Sequence, residues 1–447
     1  MKIIIAGAGR VGYYLAKNLC IYHDVIVIDK NIQTIEDIKE SLDVLAIDGN
    51  ICNPNIYNEL NEDNIDYLIC VTNSDEANLV ASSIINSKLK VKNRIVRLQN
   101  NFYKDSNLEH FFVDKAIFPS FKVARSMDYL LEYPQANNIK KFRRLNMYLL
   151  SIRLKNPNFF NKTVQSIENL FEENIAIVGI ERDKEFLIPN FDFRIDENDL
   201  IYIFGEKENI DKFYNEIKLD EFSNRMESAI IFGATRVGVE IAKVLIKKEI
   251  SVKIVEKDLN LCNIAQEQLK GKATILHSKY GWGHLLKEEG LDSADIFIAA
   301  SEDDEFNIIK SLEAKEANIP KIITINNERE YYHLMHSLGL VVIRGEKIDA
   351  FYTILESINT DSTINQKRYC GGRGIALYKE ILDESKCIDK IIKIPKKIQN
   401  NSKLYIVSDS KLIKDIENHT CKEKDVVIAF TAQEYEDLIE NWLYQEI

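Results

Sequence analysis

The segment KIIIAGAGRVGYYLAKNL at 2–19 returns as AIIFGATRVGVEIAKVLI at 229–246. A chain that repeats a unit of this kind must build one architecture twice, because each copy carries the same apolar face to bury. In both copies a strand-like apolar run meets a glycine turn, and apolar residues then recur at helical spacing: Val11, Leu15 and Leu19 in the first, Val237, Ile241 and Leu245 in the second. The similarity continues in order. VIVIDK at 25–30 answers VKIVEK at 252–257, YLICVTNSDEANLV at 67–80 answers IFIAASEDDEFNII at 296–309, and RIVRLQN at 94–100 answers KIITINN at 321–327.

Five short Val/Ile-rich runs alternating with helix-length stretches predict a parallel sheet covered on both faces, since continuously apolar strands suit two-sided burial. Each block is therefore expected to be a Rossmann-like, doubly wound α/β domain. After each block the pattern changes to short runs separated by charged turns, as in IAIVGIERDKEFLIPNFDFRIDENDLIYIFG at 175–205 and KLYIVSDSKLIKDIENHTCKEKDVVIAF at 403–430. These read as small, largely antiparallel α+β modules, with Asp199 and Asp425 at matching positions. The expected order is large 1–134, small 135–222, large 226–358, small 359–447.

GAGRVG places Gly7, Gly9 and Gly12 where the first strand should end and a helix begin. The first glycine permits the tight turn, the second lets backbone approach a phosphate, and the third allows close helix–strand packing. Backbone N–H groups of this turn, Gly7 to Gly12 with Ala8, Arg10 and Val11 between the glycines, then hold the anion at the helix start. Asp29 ends the second strand roughly 20 residues on, where an acid can bond ribose hydroxyls and repel a 2′-phosphate. Asp48 and Gly49 end the third strand and border the adenine side or form a plain turn. Thr72, Asn73, Asp75 and Asn78 follow the fourth strand, either contacting ligand or, with Ser74, capping the next helix. Arg10 and Arg97 are candidate phosphate partners or ordinary ion-pairing arginines.

The second copy keeps Gly233, Arg236, Val237, Gly238, Ser301 and the acid at Glu256, but has Thr235 in place of the middle glycine, His277-Ser278 in place of Asp48-Gly49, and Thr324 in place of Arg97. With three contact features changed, this second site is expected to be weaker, altered or empty.

The formal charge of −12 argues against broad nucleic-acid binding or adhesion to anionic lipid, which need a positive field. The basic run Lys140, Lys141, Arg143 and Arg144 reads as a solvated linker. The opening MKIIIAGAGRVG reads as a first strand rather than an export signal, and no window reaches the ~18 apolar residues of a membrane span. Seven scattered cysteines without a CxxC pair suit neither a disulfide frame nor zinc, so most are expected to be buried small hydrophobes and no metal site is expected. The histidines, His336 among them, sit in no recognisable catalytic setting, and no catalytic residue is assigned. Tyr13 and Lys17 have a YxxxK spacing on the first helix, away from any substrate, while GWGH at 281–284 and CGGRG at 370–374 lack a phosphate-loop GK[ST] and read as turns. A dehydrogenase is the alternative reading, since the same turn positions nicotinamide cofactors. A DNA-binding sensor would need a basic helix-turn-helix module, which the sequence does not carry.

On GAGRVG with Asp29, the VTNSDEAN segment at 71–78 and the stretch VDKAIFPSFKVARSMDYLLEYP at 113–134, the chain resembles the TrkA family of regulatory subunits of Trk-type potassium transport. The last stretch is similar to that family's crossover helix. The resemblance implies two tandem RCK units, each an N-domain plus a C-domain, binding of NAD(H) or ATP/ADP, and a homotetrameric ring on the inner face of the cell membrane. It also implies an integral-membrane channel partner of the TrkH/TrkG type, a cytoplasmic location without membrane insertion, and in some members a cation site at interfaces.

Overall fold

The computed structural model describes all residues except 59, 61–63, 143–144, 173, 219–225, 279–292, 329 and 359–363. Arg143, Arg144 and the GWGH segment fall outside the described residues.

The first block forms a parallel sheet from β1 (Lys2–Ala6), β2 (Asp24–Asp29), β3 (Leu45–Asp48), β4 (Asn64–Cys70), β5 (Lys90–Arg97) and β6 (Lys115–Ile117), in the order β3-β2-β1-β4-β5-β6. The strand order reverses between β1 and β4, which opens a crevice at the carboxyl ends of those two strands. A five-stranded antiparallel sheet follows: β7 (Ala136–Phe142), β8 (Met147–Arg153), β9 (Ile175–Arg182), β10 (Glu185–Leu187) and β11 (Leu200–Glu206), ordered β10-β9-β11-β8-β7. The second block repeats the parallel sheet with β12 (Ser228–Phe232), β13 (Ser251–Glu256), β14 (Thr274–His277), β15 (Ile296–Ala299), β16 (Lys321–Asn326) and β17 (Val341–Arg344), ordered β14-β13-β12-β15-β16-β17. The last sheet comprises β18 (Asn365–Tyr369), β19 (Gly374–Glu380), β20 (Ser402–Ser408), β21 (Lys411–Ile413) and β22 (Val426–Ala432), ordered β18-β19-β22-β20-β21.

Each parallel sheet has six strands where the sequence pattern predicted five. The additional strands, β6 and β17, are three- and four-residue edge runs too short to show a period of their own. β6 lies inside the stretch read as crossover helix; the helix itself begins at Pro119, whose fixed φ suits a first helical turn, and runs to Glu132.

The two repeats exchange their crossover helices. Val123, Ala124, Met127 and Leu130 of the Pro119–Glu132 helix join the core of the second parallel sheet beside Ile241 and Leu245. Ala350, Phe351, Ile354 and Ile358 of the corresponding Glu346–Ile358 helix join the core of the first beside Leu15 and Leu19. Each helix would otherwise leave that apolar stripe in water, so the pairing of repeats is driven by burial. The antiparallel sheets also pack on one another, Phe142, Tyr202 and Phe204 meeting Tyr369, Tyr378 and Phe430 in one aromatic cluster. The chain is thus an intramolecular pair of similar units. Among the described residues no helix is long and apolar enough to cross a membrane.

Lys140 corrects its sequence reading. Rather than a solvated charge in a linker, it lies on β7, its ammonium donating to the Arg368 carbonyl at 2.6 Å, and burial pushes its pKa well down. The alternation of β7 sends this side chain toward the final sheet while Ile139 and Phe142 pack in the cores.

Candidate functional site

The first glycine turn joins β1 to the Arg10–Leu19 helix. Gly7 has φ +111°, and a Cβ there would press on the Thr72 amide, so the turn itself demands glycine. A Cβ at Gly12 would overlap the Gly7 carbonyl, which fixes the close helix–strand packing. Gly9 differs from both. Its φ of −61° is open to any residue, and a Cβ built on it meets nothing within 4 Å. Gly9 is the N-cap of its helix and offers no side-chain bond to the first amides, which leaves their partial positive charge facing the crevice.

Thr235 occupies the same position in the second turn, with nearly the same backbone (φ −64°). Its hydroxyl donates to the Ala300 carbonyl at 2.6 Å and accepts the Gly238 amide at 3.2 Å, so a side chain already takes one of the helix-start donors. Gly233 has φ +107° and Gly238 packs on the Gly233 carbonyl, as in the first copy.

The acids behave alike at the turn and differently at their free edges. Asp29 accepts the Ala8 amide at 2.6 Å and the Asn31 amide at 3.0 Å, and its carboxylate stays half-buried with acceptor sites to spare. Glu256 accepts the Ala234, Lys257 and Asp258 amides and is buried. Asp48 and Gly49 close β3 beside this edge, the Gly49 amide donating to the Asp29 carbonyl at 2.8 Å.

The SDEAN residues are mostly framework. Ser74 is the helix cap, accepting the Ala77 amide at 3.1 Å. Asn78, fully buried, accepts from the Thr72 amide and hydroxyl and donates to the Thr72 and Arg97 carbonyls, tying the ends of β4 and β5 together. Asp75 accepts the amides of Gln99 and Asn100. The second repeat reproduces this scaffold: Asn307 binds Ser301 and the Ile325 carbonyl, and Asp304 accepts the Asn327 amide. These side chains shape the crevice wall by spending their polar atoms on it.

Both arginines are engaged by protein partners. Arg10 pairs with Glu328 at 2.8 Å and lies 3.8 Å from Asp304, both in the second repeat. Glu328 also accepts the Tyr14 hydroxyl, whose pKa burial and that carboxylate push up to about 12. Burial pushes the Asp304 carboxyl up, against the Asn327 amide bond and Arg10. Arg97 is buried and donates to Asn73 at 3.1 Å. Asn73, Gln99 and Asn100 wall a cleft of about 480 Å³ whose other side is Thr235, Arg236, Val237 and Ser301 of the second repeat. The crevice of the second repeat therefore opens against the first, and Arg10, at the first turn, reaches into the second, a relation that motif spacing could not reveal.

A separate grouping was missed by the sequence reading. Glu181 (β9), His336 (helix Tyr331–Ser337) and Cys370 (the turn Cys370–Gly372) converge, although the chain separates them widely. No local spacing could have announced it.

The TrkA-N domain description matches residues 3–119 and again 229–344, and the TrkA-C domain description matches 149–218. A "Trk system potassium uptake protein TrkA homolog" of Archaeoglobus fulgidus is 31% identical over 346 residues, 76% of this chain and 77% of that protein. The "Trk system potassium uptake protein TrkA" of Halomonas elongata is 27% identical over 348 residues, 75% of this chain and 74% of that one. Among solved structures, the GsuK RCK domain covers 98% of this chain and 94% of its own with a TM-score of 0.61 at 16% identity. The GsuK channel bound to NAD covers 98% of this chain and 78% of its own at a TM-score of 0.60 and 15% identity; both show the same fold. With its paired Rossmann-like sheets each meeting the TrkA-N pattern and most of its length aligned to proteins of that name, this chain belongs to the TrkA family.

Proposed function

We propose that this chain is the regulatory nucleotide-binding subunit of a Trk-type potassium transporter, sensing NAD(H) or ATP/ADP and gating a membrane channel partner of the TrkH/TrkG type rather than converting a substrate. The observation that supports nucleotide recognition most directly is Gly9: neither backbone conformation nor neighbouring atoms require glycine there, so the residue is explained by a ligand whose phosphate comes up against main-chain amides. In this reading Asp29 supplies the ribose contact and disfavours a 2′-phosphate, with Asp48 and Gly49 beside it at the end of β3 and Thr72 and Asn73 just after β4 as further contacts. The second turn, with Thr235 occupying its own donor, is the weaker site. The domain limits 1–134, 135–222, 226–358 and 359–447 belong to this reading, with the exchanged helices acting as levers between units.

The transport role rests on the relatives named for potassium uptake, and the negative net charge agrees with a protein-mediated rather than lipid-mediated position on the inner face of the membrane. A homotetramer would bring eight such units into a ring. The test is reconstitution with a TrkH-type channel in potassium-loaded vesicles. Flux should depend on this chain and change with nucleotide while the nucleotide is recovered intact. Steady turnover of NADH with a simple metabolite would establish the oxidoreductase alternative instead.

A further inference from the structure

Glu181, His336 and Cys370 offer a carboxylate oxygen, an imidazole nitrogen and a sulfur that all lie within 4.8 Å of one another. Glu181 and Cys370 are buried, and His336 is one-fifth exposed. The three come from different parts of the molecule: Glu181 from the first antiparallel sheet, Cys370 from the second, and His336 from the second parallel-sheet block. Cys370 Sγ donates to Glu181 Oε2 at 2.9 Å, and His336 Nδ1 lies 3.4 Å from the same oxygen. The other ring nitrogen of His336 is 3.4 Å from the Tyr202 hydroxyl, a partner of the kind that orients a metal-binding imidazole. Cys370 holds a left-handed backbone (φ 50°) followed by Gly371 and Gly372, also left-handed, so the turn accepts an unfavourable conformation where the sulfur meets the carboxylate. Beside the group is a cavity of about 40 Å³, lined by His336, Cys370, Tyr202 and Lys140, which has room for an ion's water but not for a nucleotide.

We propose that Glu181, His336 and Cys370 form a binding site for a zinc-like divalent transition metal that fastens the two antiparallel sheets to the second Rossmann-like block. Around a tetrahedral zinc with bonds of roughly 2.0–2.3 Å, ligand atoms stand about 3.3–3.8 Å apart, so the present spacing closes to that geometry by small side-chain movements. Sulfur and imidazole select zinc over calcium or magnesium, which take oxygen ligands. The Sγ–H bond breaks, its proton passes to solvent, and a sulfur–metal bond forms; thiolate and carboxylate together then match the charge of the ion. Water completes the fourth position. Arg373 now donates to Glu181 and lies 3.3 Å from the Cys370 sulfur, while its other nitrogen donates to the Lys184 carbonyl. That second bond gives the guanidinium a place to remain as the metal enters. The site stands independently of nucleotide binding.

The test uses the full, untagged chain freed of metal by a chelator. It is titrated with Zn²⁺ against a chromophoric chelator and, separately, with Co²⁺ followed by absorption. The expected result is one ion per chain, a thiolate-to-cobalt charge-transfer band, and a thermal midpoint raised by Zn²⁺. Cys370→Ser should abolish the band, and both Cys370→Ser and His336→Ala should weaken Zn²⁺ binding at least about tenfold. Cys262→Ser, which removes a buried sulfur elsewhere, should leave all three readouts unchanged. Because His336 is partly exposed, its variant keeps the question decidable even if Cys370→Ser folds poorly. Absence of the band in the parent chain, or parental affinity in His336→Ala, overturns the proposal.

Discussion

Gly9 and Thr235 share one backbone geometry, and the difference between them is a single side chain. Thr235 bonds its own helix start and the end of β15; Gly9 gives the equivalent amides no side-chain cap, which is where the proposed phosphate would bind. Gly9→Ala meets no protein atom, so its cost to stability is that of a poorer N-cap, about 0.5–1 kcal/mol, and its thermal midpoint should fall by only a few degrees. On the proposed binding mode nucleotide affinity should fall about tenfold or more, since the added methyl would stand where the phosphate approaches. Equilibrium dialysis beside thermal melts separates the two effects. Gly12→Ala, by contrast, should lower both, because its Cβ overlaps the Gly7 carbonyl. The glycines, Asp29 and Glu256 were legible in the sequence because one short stretch of chain carries both turn and acid. Arg10 and Arg97 were not, because their partners Glu328 and Asn73 are set by the packing of repeats and by a loop clamp, which no local pattern encodes.

The strands and helices that the hydrophobic periods announced are present, and the unannounced ones are short edge strands whose pairing supplies what their own sequence lacks. What the period could not specify was destination. The apolar stripe on the Pro119–Glu132 helix predicts a buried face, yet only the structure shows that this face belongs to the other repeat's core. Met127 is fully buried there, so Met127→Ala should cost about 2–5 kcal/mol and raise hydrogen exchange in β12 and its neighbours more than in β1. Uniform loss over both sheets, or loss confined to the first, would contradict the exchange of helices. Lys321, on β16, reaches across to the Pro134 and Ala136 carbonyls, where burial lowers its pKa to about 8. The unfolded chain holds that proton up to about pH 10.4, so the cost of burying the Lys321 ammonium is fully present below pH 8, where folded and unfolded chains are both protonated, and fades as pH rises from 8 to 10 and the folded lysine becomes neutral. The stability of the parent relative to Lys321→Met should therefore climb by roughly 2–3 kcal/mol over that window, read by denaturant unfolding at successive pH values. A flat difference would show that the ammonium is not held as buried.

At the scale of the whole molecule, the cleft beside the second glycine turn lies between the repeats, and the Arg10–Glu328 pair joins the two repeats next to the first turn. A ligand that binds one arrangement of this pair more tightly than another shifts the population between them; one that binds both equally shifts nothing. Moving an assembly from 1:99 to 99:1 takes ~5.5 kcal/mol, or about 1.4 kcal/mol from each of four equivalent sites. Because the Arg10 pair is partly exposed, breaking it with Arg10→Ala should change stability by less than about 1 kcal/mol while altering how strongly nucleotide changes potassium flux in reconstituted vesicles. Unchanged nucleotide response in that variant would remove the pair from the coupling route. The decisive measurement is calorimetric titration of the purified chain with ADP, ATP, NAD and NADH, performed on the parent, on Gly9→Asp and on Thr235→Asp. One or more of these nucleotides should bind the parent and be lost on Gly9→Asp, with Thr235→Asp having the smaller effect. No heat from any of the four, or equal losses from the two substitutions, would contradict a main-chain nucleotide site at the first glycine turn.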